Sequence, residues 1–203
     1  MAKLIAIPSA CKMPDLSVSK SLMPILLVQV MIGDPGLSQK TALYRRNFLR
    51  LVEKAVDEYR EARNYIIKQI EESKRPVKEM EIHGRILYIL EFTNHMETCI
   101  NAISRLYRIL ERIKAENKSS SIPRGLRKLV ESKYQLITNL RNSIEHIDKM
   151  IQRGEISEGN PIMLALCEDN ETIAVAKYSI KFEDLALVLK RLHEIAQYML
   201  GLR

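Results

Sequence analysis

Apolar residues recur at helical spacing along most of the chain, and the first two of the predicted helices lie between residues 38 and 117. Ser38 is a candidate N-cap, and the apolar stripe after it continues to Lys74, where Pro76 ends the pattern. A second stripe, as continuous as the first, predicts a helix from about Val77 or Glu79 to Asn117. The polar run over 117–121 predicts a surface loop.

The second half of the chain predicts two more helices with a hairpin between them. A third helix begins near Pro123 and continues to Gly154. The β-branched and apolar stretches 161–167 and 172–178 indicate a short β-hairpin, and the final amphipathic stretch 182–200 a fourth helix. The predicted fold is mainly all-α, an up-and-down bundle of about four long helices with a small β-hairpin before the last helix.

The first 37 residues have a different residue pattern and are predicted to be an N-terminal extension of extended or irregular structure. Four prolines interrupt it, at positions 8, 14, 24 and 35, and exclude a long helix. Its apolar run 22–32 is too short to span a bilayer, so no membrane is expected as a partner. The pattern therefore divides the chain into an extension, 1–37, and a helical bundle domain, 38–203.

Composition and charge narrow the class of protein. Charged residues make up 28% and aromatic residues 5% of the 203 positions, with nine methionines and no tryptophan, which is typical of helices packed on helices and argues against an all-β fold. The formal net charge is +7. A positive balance favours an anionic partner such as nucleic acid.

Cysteine usage predicts a reduced, cytoplasmic protein. Cys11, Cys99 and Cys167 are odd in number and far apart, so they indicate neither a disulfide framework nor a metal-binding CxxC pair. The motifs GxGxxG, GxxxxGK[ST], HExxH and GxSxG are absent, and the four histidines lack metal-ligand spacing. The sequence therefore predicts neither a cofactor nor a metal.

Polar residues crowd into one part of the third helix, between positions 140 and 148. Arg141, Asn142, Glu145, His146 and Asp148 interrupt an otherwise regular series of isoleucines and leucines. On a regular helix Arg141 and His146 lie about 140° apart around the axis, so they need not converge within one chain. Two copies of the helix meeting across a two-fold axis would bring arginines and histidines of both chains into one pocket.

The segment Arg141-Asn142-Ser143-Ile144-Glu145-His146 resembles the Arg-x4-6-His motif of the HEPN superfamily, in which a polar residue, often asparagine, follows the arginine late in a helical bundle. The resemblance extends loosely over 38–203 through the order of long helices, motif and final helix, and does not cover 1–37. It implies a metal-independent endoribonuclease that works as a homodimer, often the toxin of a toxin–antitoxin or phage-defence system. RNA, a second copy of the chain and an antitoxin protein are the partners it implies.

The same resemblance suggests roles for individual residues. His146 would act as acid or base while the RNA 2′-hydroxyl attacks the adjacent phosphate, and Arg141 would hold the charge on the phosphoryl oxygens. Asn142 would orient the histidine or the phosphate. Basic residues flank this helix, and Lys133, Lys149 and Arg153 are the predicted substrate contacts, with an ordinary solvated face as the alternative.

Two other interpretations remain open. The chain can be a catalytically silent HEPN-like dimer that binds RNA, a nucleotide or a partner protein. It can also be a plain helical interaction module in which the match at Arg141 and His146 is accidental. Glu145 and Asp148 either orient Arg141 or pair with it and repel RNA, and the sequence does not decide between these roles.

Overall fold

A computed structural model of the chain describes residues 7–33, 36–116 and 122–202. Seven helices lie in these ranges, and they are α1 (Met23–Ile32), α2 (Gln39–Ser73), α3 (Val77–His83), α4 (Ile89–Glu116), α5 (Arg124–Glu145), α6 (Ile147–Gln152) and α7 (Phe182–Met199). Three strands precede the last helix, namely β1 (Ala165–Leu166), β2 (Thr172–Val175) and β3 (Tyr178–Lys181). The predicted mainly-α fold is confirmed.

The four long helices α2, α4, α5 and α7 form a closed bundle. In chain order each packs against the next, and α7 returns to pack against α2. Lys40 near the start of α2 bonds Glu116 at the end of α4, and Lys114 near the end of α4 bonds Glu131 in the first half of α5. Each of these neighbouring pairs is therefore antiparallel.

The last helix completes the up-and-down order. Phe182 at the start of α7 meets Phe92 near the start of α4, with ring centroids 6.2 Å apart. Met199 at its end lines a shared cavity with Thr41 of α2 and Ile113 of α4. Thus α7 is antiparallel to both α2 and α5, which is the arrangement of an up-and-down bundle.

The core runs through the middle of this bundle and is built from the predicted apolar stripes. The most completely buried large side chains include Phe48, Tyr59, Phe92, Met96 and Ile103. Burying each large apolar side chain contributes about 1.5–3 kcal/mol relative to exposure. The stripes of α2 and α4 therefore account for the interface between the two longest helices.

The second predicted helix is wrong as a single element, because the chain leaves helical geometry in its first third. Helix α3 ends at His83, Gly84 has a positive φ of 74°, and α4 starts only at Ile89. Glycine adopts this left-handed conformation without the steric cost that other residues incur. Gln69 and Glu72 of α2 accept the backbone N–H groups of Ile89 and Ile86, which stabilises the break.

The N-terminal segment differs from the predicted extended or irregular structure in one stretch, because residues Met23–Ile32 form α1. Pro24 occupies the first turn, where a missing N–H costs nothing, so this proline begins the helix instead of excluding it. Four side chains of the segment, Met13, Leu16, Leu22 and Leu26, belong to the same buried cluster as the bundle. The segment thus contributes apolar side chains to the core.

The predicted hairpin is a three-stranded antiparallel sheet in the order β1–β2–β3. Strand β2 pairs with β3, with Ile173 opposite Ile180. The predicted second strand, 172–178, therefore covers β2 and only the first residue of β3. Alternate residues of β2 are buried, and the sheet packs on α5. The surface loop predicted at 117–121 lies outside the described residues.

Candidate functional site

The polar cluster of the third predicted helix lies at a break between two helices. Helix α5 ends at Glu145, α6 begins at Ile147, and His146 between them has φ −128° and ψ 27°. The prediction of one continuous helix to Gly154 is wrong at this point. The backbone N–H of His146 still donates to the carbonyl of Asn142 at 2.9 Å, so α6 continues closely from α5.

Arg141 is held at the surface by two side chains that follow it in the chain. Its Nη1 donates to Oδ1 of Asn142 at 3.1 Å, and its Nη2 forms an ion pair with Glu145 one turn later. The Arg141 side chain remains 26% exposed. An anion that reaches this guanidinium must compete with the carboxylate of Glu145.

His146 is exposed to solvent. Within residues 7–33, 36–116 and 122–202, its imidazole contacts neither Arg141 nor Asn142 through a hydrogen bond. The structure therefore brings Arg141 and Asn142 together and leaves His146 apart from both. One chain alone presents two separate parts of the predicted site on one end of α5.

The three predicted substrate contacts have different surroundings. Lys133 bonds Asp184 in the first turn of α7, with 2.9 Å between Nζ and Oδ1, so its charge links two helices of the bundle. Arg153 lies 3.7 Å from Glu155, and Lys149 is exposed on α6. Lys149 and Arg153 follow the helix break and lie close in sequence to His146.

A histidine–carboxylate pair that the sequence analysis did not select lies between α2 and α4. Nδ1 of His95 is 2.7 Å from Oε2 of Glu58, and the ring of Tyr65 stacks on the imidazole with centroids 5.2 Å apart. The partners are 37 positions apart in the chain and meet only because α2 and α4 are antiparallel. No local pattern could have paired them.

Of the other histidines, His193 has a structural contact. It is buried in α7, where Nε2 lies 2.8 Å from the carbonyl of Lys20. In the part of the chain that the structure describes, no group of three or more His, Cys, Asp or Glu side chains is placed to hold a metal ion. Cys11, Cys99 and Cys167 are free thiols, and burial raises the pKa of Cys99 and of Cys167.

No family model, curated protein or solved structure matches the chain. The resemblance to HEPN proteins therefore stays a prediction from the motif residues and the helix order. Among the described helices, none combines the length and the apolar composition needed to cross a bilayer.

Proposed function

We propose that the protein is a metal-independent endoribonuclease of HEPN type that acts as a homodimer. The observation that carries the proposal is the arrangement at the end of α5, which presents a guanidinium bonded to Asn142 and, separately, an exposed histidine at a helix break. Because Arg141 and His146 do not contact each other within one chain, the working site is assigned to two chains. The net charge of +7 supports an anionic substrate.

The chemistry needs only groups that the chain supplies. A neutral His146 accepts the proton of the RNA 2′-hydroxyl. The 2′-oxygen then bonds to phosphorus, and the bond from phosphorus to the 5′-oxygen breaks. The same His146, now protonated, returns that proton to the leaving oxygen, so each site uses one histidine. Arg141 stabilises the negative charge on the phosphoryl oxygens, so the products are a 2′,3′-cyclic phosphate and a 5′-hydroxyl.

The silent alternative is favoured by one specific contact. Glu145 occupies the guanidinium of Arg141 and places a negative charge where a phosphate would bind. A catalytically silent helical dimer that binds RNA, a nucleotide or a partner protein would tolerate this ion pair. Cleavage assays separate the two functions.

The first test incubates the purified chain with single-stranded RNA in the presence of a chelator. Wild type should cut the RNA, and both Arg141→Ala and His146→Ala should reduce the rate by roughly 100-fold or more, as loss of a proton-transfer group or of an electrostatic contact does. His83→Ala, which removes an exposed histidine of α3, is the matched control and should keep the wild-type rate. An inactive wild type, or equal activity in all three variants, would contradict the proposal.

The second test asks whether the site is shared between chains. Mixing Arg141→Ala and His146→Ala protomers should restore activity, because one of the two sites in a mixed dimer receives an intact arginine from one chain and an intact histidine from the other. With statistical mixing the recovery is about a quarter of the wild-type rate. A mixture as inactive as its two components would exclude the shared site.

A further inference from the structure

A surface groove between α2, α4 and α5 is lined by arginines that the proposed catalytic site does not use. Its volume is about 640 Å³. The side chains that define it are Arg105, Arg108 and Arg112 from α4, Asn47 from α2 and Tyr134 from α5. We call this feature the arginine groove.

The three arginines share one face of α4. Their spacing of three and seven residues keeps them within about 60° around the helix axis. All three are exposed. Like charges at this spacing repel one another and destabilise an isolated helix. The stability of α4 therefore does not explain why three arginines lie together.

The arginines also differ from the other cations nearby, which have carboxylate partners. Lys114 bonds both Glu111 and Glu131, and Lys40 bonds Glu116. Within the described ranges 7–33, 36–116 and 122–202, Arg105, Arg108 and Arg112 form no salt bridge or side-chain hydrogen bond.

The acidic groups beside the groove are already engaged. Glu111 lines the groove, but its carboxylate pairs with Lys114. The hydrogen bond from Lys114 holds the pKa of Glu131 below its usual value, so this carboxylate stays ionised and paired. The groove therefore keeps three uncompensated positive charges.

Tyr134 adds an aromatic surface to this charge. It is 42% exposed, and its ring packs edge to face with the buried Tyr107, with centroids 5.0 Å apart and an interplanar angle of 80°. This contact restrains a ring that is open to the groove. An exposed aromatic side chain beside arginines is the combination on which unpaired bases stack while cations contact the backbone.

The groove also points toward the polar cluster at the end of α5. Tyr134 and Arg141 are seven residues apart, which is two helical turns, so they lie on the same face about 10 Å apart along the axis. A strand that follows α5 from Tyr134 thus reaches Arg141.

We propose that the arginine groove binds the phosphate backbone of single-stranded RNA, with one base stacked on Tyr134, and directs the strand to Arg141. A single strand is favoured over a duplex because the bases of a duplex are stacked on one another and do not offer a free face to Tyr134. The claim that the strand is led to Arg141 rests on the proposed ribonuclease function, whereas the claim that RNA binds in the groove does not.

The test measures binding of a fluorescent 2′-O-methyl RNA oligonucleotide to the full chain by anisotropy over a range of salt concentrations. This probe lacks the 2′-hydroxyl and is not cut by the proposed chemistry, so binding is measured independently of catalysis. The triple variant Arg105→Gln, Arg108→Gln, Arg112→Gln should bind at least about tenfold more weakly, and its slope of log K against log salt should fall by about two. The control variant Lys177→Gln, Lys181→Gln, Lys190→Gln removes the same charge from exposed positions elsewhere and should bind nearly as wild type.

Tyr134 variants test the stacking. Tyr134→Ala should weaken single-stranded binding roughly tenfold, whereas Tyr134→Phe retains the ring and should bind as wild type. Equal losses in the two triple variants would overturn the groove, and tight binding of duplex RNA that does not depend on Tyr134 would overturn the single-strand assignment. Loss of binding in the groove variant together with an inactive wild-type enzyme would support the groove and reject the ribonuclease.

Discussion

Arg141 is held in place by two side chains that follow it in α5. Asn142 accepts a hydrogen bond from one side of its guanidinium, and Glu145 pairs with the other. The pair with Glu145 follows from i,i+4 helical spacing and was predictable from the sequence, whereas the contact with the adjacent Asn142 was not. The exposure of His146 at a helix break was not predictable either, because the helical pattern of isoleucines continues through it.

Asp169 shows how one carboxylate organises the turn between β1 and β2. It accepts hydrogen bonds from the backbone N–H groups of Glu171 and Thr172, at 2.8 and 2.9 Å, and from the Thr172 hydroxyl at 2.6 Å. Burial raises the pKa of Asp169, but these hydrogen bonds outweigh it, and the pKa lies below its usual value.

The lowered pKa of Asp169 predicts a stability contribution that depends on pH. Because the folded pKa lies below the unfolded one, the contribution is full above the usual carboxyl range, near pH 4, and is lost as pH falls through the folded value. Urea unfolding should therefore find Asp169→Asn less stable than wild type at neutral pH, with the difference shrinking below about pH 4. The neighbouring Glu168→Gln is the control, and a difference for Asp169→Asn that does not change with pH would contradict the prediction.

At the scale of elements, the helix ends follow local chemistry where a capping residue is present. Ser38 has extended backbone angles, and its side chain accepts the backbone N–H of Thr41 at 3.2 Å, so α2 begins where the sequence predicted. Helix α1 was missed because its residues are apolar on every side. Leu26 is buried, whereas Leu27, Val28, Val30 and Met31 are exposed, so no amphipathic stripe marks this helix.

The cap of α2 gives a prediction at this scale. Ser38→Ala should lower the free energy of unfolding by about 1 kcal/mol, because the N–H of Thr41 loses its partner at the start of the longest helix. Chemical denaturation measures the change. Ser132→Ala, at an exposed position inside α5, is the matched control and should leave stability unchanged or raised, since alanine favours helix interiors. Equal losses in both variants would show that Ser38 does not act as a cap.

At the scale of the whole molecule, residues far apart in sequence share one core. Leu16 is only 1% exposed and belongs to the cluster formed by the bundle, although it lies in the segment predicted as an extension. Arg60 of α2 reinforces this packing by donating to the carbonyls of Leu16 and Ser19. The N-terminal segment is therefore attached by both apolar and polar contacts.

Because the N-terminal segment is attached in this way, a cavity created in it should lower the free energy of unfolding substantially. Leu16→Ala should destabilise the protein by about 2–4 kcal/mol, as loss of a buried leucine does in a packed core. Val18→Ala lies two residues away with its side chain 80% exposed, and it should cost less than about 0.5 kcal/mol. If thermal or urea unfolding finds both changes equally mild, the segment does not contribute to the stability of the bundle.

The sequence by itself determined where four long helical segments lie, though not their breaks at Gly84 and His146, together with the start of α2, the polar cluster at 141–146 and the positive net charge. These features depend on periodicity, capping and composition, which act over a few residues or over the whole chain and need no knowledge of contacts. Tertiary structure alone decided the pairing of Lys133 with Asp184, of His95 with Glu58, and the meeting of Tyr134 with the arginines of α4. These contacts join side chains on different helices, so they exist only once the antiparallel packing of the bundle has set which faces meet.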